Sequence, residues 1–166
     1  MTAALPPEIQ GWADALRREH YPPERNHLHA HVTMFHSFAP SLYEELKGFL
    51  PIVTREFAAP EACITGIMDL GKGTAIALQS EPLLALRSLI AEHFHGSLTA
   101  QDLHDPRPHI TIQNKVTKVE ARALQAQLAP AIETRTFAFP ALELHLYQNG
   151  PWEHIKTCVF RGSERL

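Results

Sequence analysis

The sequence predicts an α+β fold in which antiparallel sheets are covered by helices on one face. Three observations support this prediction. Segments with apolar residues at helical spacing occur along the chain between segments in which apolar and polar residues alternate. Two pairs of alternating segments are separated by turn residues, as in β-hairpins. The order strand, capped helix and hairpin occurs twice, which indicates two related lobes within one domain over residues 1–166.

The first repeat, over about residues 27–80, follows a helix predicted over about residues 7–20. Residues 27–38 (HLHAHVTMFHSF) alternate and predict a strand. Ser41 and Glu44 match a capping box, which predicts the start of the next helix.

A hairpin and a third helix complete the first repeat. The hairpin is predicted over residues 61–79, with its turn at Gly71-Lys72-Gly73. Ser80 is expected to begin the helix and Gly96 to end it.

The second repeat, over about residues 106–161, has the same order. Residues 106–116 (PRPHITIQNKV) predict a strand, and Thr117 with Glu120 forms a second capping-box pattern. A last hairpin is predicted from three features. The leucines Leu142, Leu144 and Leu146 alternate, the residues Asn149-Gly150-Pro151 form a turn, and residues 152–160 form the returning strand.

Composition favours an ordinary globular domain: 45% of the 166 residues are hydrophobic and 20% are charged. The net charge of −3 lacks the basic surface of a protein that holds a long stretch of nucleic acid. No segment approaches the roughly 18 consecutive apolar residues of a membrane span, and the N-terminal residues do not form a secretory signal. Two cysteines, Cys63 and Cys158, cannot build a disulfide framework, so we expect a cytoplasmic protein.

Each repeat carries one His-x-Thr motif in its first strand: His31-Val32-Thr33 and His109-Ile110-Thr111. Residues i and i+2 of a strand share a face, so each histidine projects beside its threonine while the middle residue faces the helices. Two related lobes would bring both pairs into one cleft. One neutral imidazole would then take a proton from an attacking water or hydroxyl, and the other would protonate the leaving oxygen. With the threonine hydroxyls bound to phosphoryl oxygens, the motifs predict phosphodiester chemistry without a metal or cofactor.

Both motifs, and the segment RPHITIQNKV around the second, give the chain a resemblance to the 2H phosphoesterase superfamily. That superfamily includes bacterial 2′-5′ RNA ligases and RNA 2′,3′-cyclic phosphodiesterases. The resemblance extends from about His31 to Phe160 and implies a bilobed, pseudo-twofold LigT-like fold, with two antiparallel sheets lining a central cleft and helices on the outer faces. It also implies metal-independent hydrolysis of a cyclic phosphate, or the related 2′-5′ transfer. The catalytic residues that it implies are His31, Thr33, His109 and Thr111.

The implied partners are small nucleotides or short RNA ends that carry a phosphodiester, without extended nucleic-acid binding and without a membrane. The natural substrate and the oligomeric state are left open at this point. One departure from the family pattern is expected at the N-terminus, where many members begin with a β-strand and this chain begins with a predicted helix.

Six further residues are predicted to bind substrate from their positions on the same strands or on the last hairpin. Phe35 shares the face of His31 and would stack on a base. Positions i−2, i+4 and i+6 from His109 would supply donors to the phosphate, and the last hairpin would supply aromatic rings. These remaining five residues are Arg107, Gln113, Lys115, Tyr147 and Trp152.

Three alternatives are open from sequence alone. Residues 27–33 (HLHAHVT) also match the H-φ-H-φ-H-φ-φ motif of histidine-triad nucleotide hydrolases and transferases, in which His29 would be the nucleophile. The row His27, His29 and His31, or the pair His93 and His95, would be the source of zinc ligands, although no cysteine pair supports such a site. A non-catalytic module that binds nucleotides in the same cleft would share the fold without turnover.

Overall fold

The computed structural model describes residues 1–147 and 152–166, and within them it contains four α-helices and eight β-strands. In chain order the elements are β1 (Thr2–Ala3), α1 (Pro7–His20), β2 (Val32–Thr33), α2 (Tyr43–Glu56), β3 (Glu61–Asp69), β4 (Gly73–Gln79), α3 (Glu81–His93), β5 (His109–Asn114), α4 (Lys118–Leu128), β6 (Thr136–Ala138), β7 (Ala141–Tyr147) and β8 (Trp152–Val159). The predicted turn at Asn149-Gly150-Pro151 lies outside the described residues. None of the helices in the described ranges has the length and apolar character needed to cross a membrane.

All eight strands belong to one antiparallel sheet with the order β6-β3-β4-β5-β2-β1-β7-β8. The predicted α+β class is therefore confirmed. The two expected sheets are continuous with each other, because β2 pairs with β5. The hairpin β3–β4 pairs with β5, whereas the hairpin β7–β8 reaches β2 through β1. Each half of the sheet thus contains strands from both sequence repeats.

A row of apolar side chains crosses the middle of the sheet and fixes its register. Neighbouring strands place these residues opposite one another, and each is at most 1% exposed: Leu142, Ala3, Val32, Ile110 and Ile76. Burying a Val or Ile side chain contributes about 1.5–3 kcal/mol. Because a slip of one residue would turn this row to the opposite face, the central pairing is strongly specified.

The predicted strand over residues 27–38 is mostly wrong, because only Val32–Thr33 pairs as a strand. The backbone of Ala30 instead bonds to side chains of α1. After β2, the N–H groups of Met34 and Phe35 donate to the carbonyl oxygen of Met1, at 3.0 Å and 3.2 Å. The expectation that the chain begins with a helix is also wrong, since β1 precedes α1 and completes the sheet.

Most of the predicted element boundaries are confirmed. Thr117 and Glu120 form the capping box at the start of α4, and Ser80 accepts a hydrogen bond from the Leu83 N–H at the start of α3. The hairpin β3–β4 turns at Gly71, whose φ of 77° is in the left-handed region that glycine adopts without strain. Local sequence therefore suffices to place these boundaries.

The predicted capping box at Ser41 does not form. Residues Pro40–Leu42 make a 3₁₀ turn, and α2 starts at Tyr43 without a side-chain cap. The N–H of Leu42 donates to the carbonyl of Ala39, which places Ser41 inside the turn instead of ahead of the helix.

Substitution of Gly73 tests the close packing of β4 on β5. A methyl group on Gly73 would fall against the backbone oxygen of Gln113 and 2.9 Å from the Cα of Asn114. Because these are backbone atoms, we expect Gly73→Ala to lower the free energy of unfolding by about 1–3 kcal/mol. Urea denaturation measures the change.

The matched control is Gly11 in α1, where a methyl group would meet nothing within 4 Å. Gly11→Ala is expected to raise the free energy of unfolding by about 0.5–1 kcal/mol, since alanine restricts the unfolded chain. A Gly73→Ala protein as stable as the wild type would contradict the packing of these two strands.

Candidate active site

The two His-x-Thr motifs lie side by side at the centre of the sheet. Val32 of β2 lies opposite Ile110 of β5 in an antiparallel pair. Their neighbours along each strand face the other side of the sheet from this buried pair. The register places four side chains, here called the His/Thr tetrad, as cross-strand neighbours: His31 beside Thr111, and Thr33 beside His109.

The two histidines of the tetrad are diagonal neighbours. Diagonal positions on one face of an antiparallel pair are roughly 7–8 Å apart, which leaves room for a phosphate group between two imidazoles. On β4, Ala75 lies opposite Thr111 and Ala77 lies opposite His109. The neighbours of the second motif on β4 therefore both have small side chains.

Both imidazoles are held in the same way. Nδ1 of His31 lies 2.8 Å from the carbonyl oxygen of His29, and Nδ1 of His109 lies 2.6 Å from that of Arg107. A ring that donates its Nδ1–H to a carbonyl leaves Nε2 as the acceptor of the neutral form. Each ring can therefore exchange a proton through Nε2 with a group placed between them.

The environment of His31 favours the neutral ring. Burial lowers the pKa of His31 to about 4, against the opposing effect of the hydrogen bond to His29, and the charges of Arg17 and His145 lower it further. The ring of Trp152 contributes to this burial, with its centroid 5.0 Å from that of His31. His31 is consequently in the proton-accepting state at neutral pH.

The helix α1 holds both motifs through one polar face. Gln10, Asp14 and Arg17 lie at positions i, i+4 and i+7 and so share this face. Gln10 Nε2 donates to the carbonyl of Ala30 at 2.8 Å, and Asp14 Oδ1 accepts from the Ala30 N–H at 2.6 Å. Arg17, only 5% exposed, donates to the carbonyl of Thr111 at 2.7 Å. One helix thus fixes the backbone ahead of His31 and the backbone of the second motif.

This polar face of α1 is not among the features predicted from the sequence. The available signal was the helical spacing of Gln10, Asp14 and Arg17 beside the apolar stripe of the same helix. Such spacing by itself is typical of a solvated helix face, so only the structure shows that Arg17 is buried against β5.

A further histidine, His145, also adjoins the tetrad. Its Nε2 lies 3.1 Å from Thr2 Oγ1 and 3.4 Å from Glu143 Oε2, and this interaction lowers the pKa of Glu143. Thr2 lies opposite Thr33 in the sheet. The ring of Trp152 lies between the two histidines, 5.4 Å from His145 and 5.0 Å from His31, measured between centroids.

The prediction that Phe35 stacks on a substrate base is wrong in this structure. Phe35 is 1% exposed, packs 5.1 Å from the ring of Phe38 and lies under the guanidinium of Arg87. Its alternation with His31 and Thr33 is lost because β2 ends at Thr33.

The predictions for Gln113 and Lys115 also need correction. Thr74 lies opposite Gln113, but the next pair joins Ala75 with Thr111, so β5 contains one extra residue at this point. The bulge reverses the alternation, and Gln113 is 7% exposed and accepts from Thr74 Oγ1 at 3.2 Å. Lys115 has a φ of 59° and lines a separate hollow with Lys72.

The other three residues predicted to bind substrate occupy different places. Trp152 packs beside His31, as described above. Arg107 is exposed, and its carbonyl oxygen is the group that holds His109. Tyr147 is 66% exposed and lines a cavity that also contacts His145.

The histidines of the zinc hypothesis are spread over separate interactions. His29 pairs with Asp14 at 2.9 Å, while His93 pairs with Glu45 at 3.0 Å and stacks on Phe49. Among the residues that the structure describes, no three His, Cys, Asp or Glu side chains form a group suited to a metal ion.

Comparisons with known proteins agree with this geometry. A family model described as the 2′-5′ RNA ligase superfamily matches residues 5–151. No curated protein matches the chain. Among solved structures, the crystal structure of TT0787 of Thermus thermophilus has a TM-score of 0.66 and 15% sequence identity, and the match covers 98% of this chain and 97% of that chain. At this identity, the structural likeness shows a shared fold.

Acidification provides a test of the environment of His31. The pKa of His31 is about 4 in the folded protein and 6.5 as an ordinary value, so between these values the unfolded chain binds the extra proton. The free energy of unfolding therefore falls as the pH falls through this window. We expect the wild type to lose on the order of 2–3 kcal/mol that a His31→Gln variant does not lose.

Urea denaturation of both proteins at several pH values across the window measures this difference. His95→Gln, which changes an exposed histidine after α3, is the matched control and should follow the wild type. If the wild type and His31→Gln lost the same stability as the pH falls, the lowered pKa of His31 would be contradicted.

Proposed function

The chain belongs to the 2′-5′ RNA ligase superfamily, and we propose that it is a metal-independent phosphodiesterase that opens 2′,3′-cyclic phosphate ends of short RNA or small nucleotides. The related 2′-5′ ligation is the same displacement with a 5′-hydroxyl in place of water as the nucleophile. Localisation in the cytoplasm is part of this proposal. The net charge of −3 supports a small substrate in preference to an extended nucleic acid.

The observation that carries the proposal is the register of Val32 with Ile110. It gives two imidazoles and two hydroxyls on one face, in a diagonal arrangement that fits in-line displacement at phosphorus. Such a displacement needs a base on one side of the phosphorus and an acid on the other. A single histidine with one threonine would supply only one of these roles.

In the proposed reaction, Nε2 of His31 takes a proton from a water molecule as its oxygen forms a bond to phosphorus. The bond from phosphorus to one ribose oxygen breaks, and the protonated ring of His109 gives its proton to that oxygen. The products are a free hydroxyl and a phosphomonoester. The lowered pKa of His31 keeps its ring neutral at neutral pH, which leaves Nε2 free to accept this proton.

The two threonines complete the proposal. The hydroxyls of Thr33 and Thr111 donate hydrogen bonds to the non-bridging phosphoryl oxygens, where negative charge is concentrated during the displacement. In ligation the two histidines keep these roles, because a 5′-hydroxyl takes the place of water, gives its proton to the base and forms the bond to phosphorus while the same ribose oxygen leaves.

Substitution of either histidine tests the pair. We expect His31→Ala and His109→Ala each to lower kcat on a 2′,3′-cyclic nucleotide by about 10²–10⁴-fold, since each removes one proton transfer. The double variant is expected to be little slower than either single variant, because residues that act as a unit are not additive. Steady-state kinetics on purified proteins measures these effects.

The control variants separate the competing hypotheses. His95→Ala removes an exposed histidine after α3 and should leave kcat unchanged. A large loss in His29→Ala with full activity in His109→Ala would favour the histidine-triad mechanism. Nucleotide binding by a wild-type protein without turnover would favour the non-catalytic module.

The pH dependence of kcat/KM is expected to be bell-shaped, because one ring must be neutral and the other protonated. The free-enzyme pKa of His31, about 4, places the acidic limb well below the ordinary histidine value of 6.5. A bound phosphodiester anion favours the charged imidazole, so the acidic limb of kcat should lie at higher pH than that of kcat/KM. Profiles measured with and without EDTA are expected to coincide.

An acidic limb of kcat/KM near pH 6.5 would contradict the assignment of His31, with its lowered pKa, as the base. Activity that disappears with EDTA and returns with zinc or manganese would show that the histidines are metal ligands instead.

A further inference from the structure

Arg17 on α1 carries a buried positive charge that the proposed reaction does not use. Its side chain is 5% exposed, and it takes part in none of the ion pairs that the described residues form. Asp14, one turn earlier on the same helix, is bonded to His29 and to the N–H of Ala30 instead. Burial of a charge without an opposite charge beside it is unfavourable, and this burial lowers the pKa of Arg17. Within the described part of the chain, the guanidinium therefore lacks a counter-ion in direct contact.

The guanidinium lies at the point where β2 and β5 begin to pair. One more residue of pairing between these strands would place His31 against Thr111, but β2 begins at Val32. Arg17 Nη1 donates to the carbonyl of Thr111 at 2.7 Å. The same charge also acts on His31, since it lowers the pKa of that ring. Arg17 thus contacts the backbone of one motif and lies within electrostatic reach of the other.

The position of the guanidinium is fixed by its neighbours in α1 and in the segment that follows this helix. Arg17 Nε donates to Asn26 Oδ1 at 3.2 Å, and Asn26 Nδ2 donates back to the Arg17 carbonyl at 3.3 Å. The guanidinium also lies over the ring of Tyr21, 4.3 Å from its centroid. A charge held in this way does not need to move when an anion binds, as electrostatic preorganisation requires.

We propose that Arg17 is a positioning residue of the tetrad and that the phosphate of the substrate is the counter-ion of its buried charge, an inference that rests on the proposed function. The guanidinium contacts the backbone of Thr111 and not the substrate, so it acts through its field at the site. This field has two effects that support the same reaction. It favours an anionic phosphate between the two imidazoles, and it disfavours protonation of His31 before the phosphate binds.

Variants at position 17 separate the charge from the packing of the side chain. Arg17→Gln removes the charge, whereas Arg17→Lys keeps it. The matched control is Arg18→Gln, which changes the exposed arginine next to it on α1. With adenosine 2′,3′-cyclic phosphate, we expect Arg17→Gln to lower kcat/KM by about tenfold or more, because the phosphate loses its counter-ion. Arg17→Lys and Arg18→Gln should stay within about threefold of the wild type.

The acidic limb of the pH profile provides a readout that a purely structural role would not move. Without the charge of Arg17, protonation of His31 is less unfavourable, so the acidic limb of kcat/KM in Arg17→Gln should lie at higher pH by about half a unit or more. In Arg17→Lys it should coincide with that of the wild type. The other charged groups that act on this imidazole are unchanged in all variants: His145, Glu143 and the amino group of Met1.

Equal losses of kcat/KM in Arg17→Gln and Arg17→Lys, with acidic limbs that coincide with the wild type, would show that Arg17 serves packing alone and would overturn the inference. Wild-type kcat/KM in Arg17→Gln would overturn it as well.

Failure of the proposed function gives a different pattern, in which the wild type hydrolyses no cyclic nucleotide. The role of Arg17 is then tested by NMR of its Nε–Hε group in the wild-type protein, titrated with inorganic phosphate. This measurement also serves if Arg17→Gln does not fold. We expect phosphate to shift the resonance of Arg17 and to leave that of Arg18 unmoved. An Arg17 resonance that phosphate does not shift would contradict the counter-ion role.

Discussion

The pairing of Val32 with Ile110 is the contact on which the candidate site depends, because β2 is only two residues long. A strand of this length cannot hold its register through its own ladder. Two other features hold it: the row of buried apolar residues across the central strands, and the polar face of α1 that bonds to Ala30 and Thr111. Hydrophobic burial thus fixes which residues face the site, while the helix fixes the backbone on either side of it.

The two histidines of the tetrad are held by the same kind of hydrogen bond but lie in different surroundings. Each imidazole donates Nδ1–H to the carbonyl two residues earlier, so the two motifs are built alike. Their surroundings differ, since His31 lies against the ring of Trp152 and has a pKa lowered to about 4 by burial. A pair of like groups in unlike environments is what acid–base catalysis at neutral pH requires.

Sequence patterns predicted the parts of this protein that depend on local order. Alternation predicted that Val32 and Ile110 face the interior, and both are buried opposite each other in the sheet. The predicted capping box at Thr117 is also present. The errors arose where contacts with residues distant in the sequence determine which way a side chain faces. The bulge in β5 turned Gln113 into the interior, and the short β2 left Phe35 in the core. The burial of Arg17 and Asp102 depends on partners far along the chain, which spacing within one segment does not reveal.

The central claim is that both imidazoles contact one phosphate at the same time. NMR of ¹³C-labelled histidine in the wild-type protein tests it most directly, with pH titrations in the presence and absence of adenosine 2′-monophosphate. His31→Gln and His109→Gln assign the two signals. We expect the free protein to show a His31 pKa near 4, and the bound nucleotide to raise that pKa by about one unit or more. The resonances of His109 should shift together with those of His31, while His95 stays unchanged. A His31 titration that the nucleotide leaves unmoved, or shifts confined to one of the two motifs, would contradict a shared phosphate site.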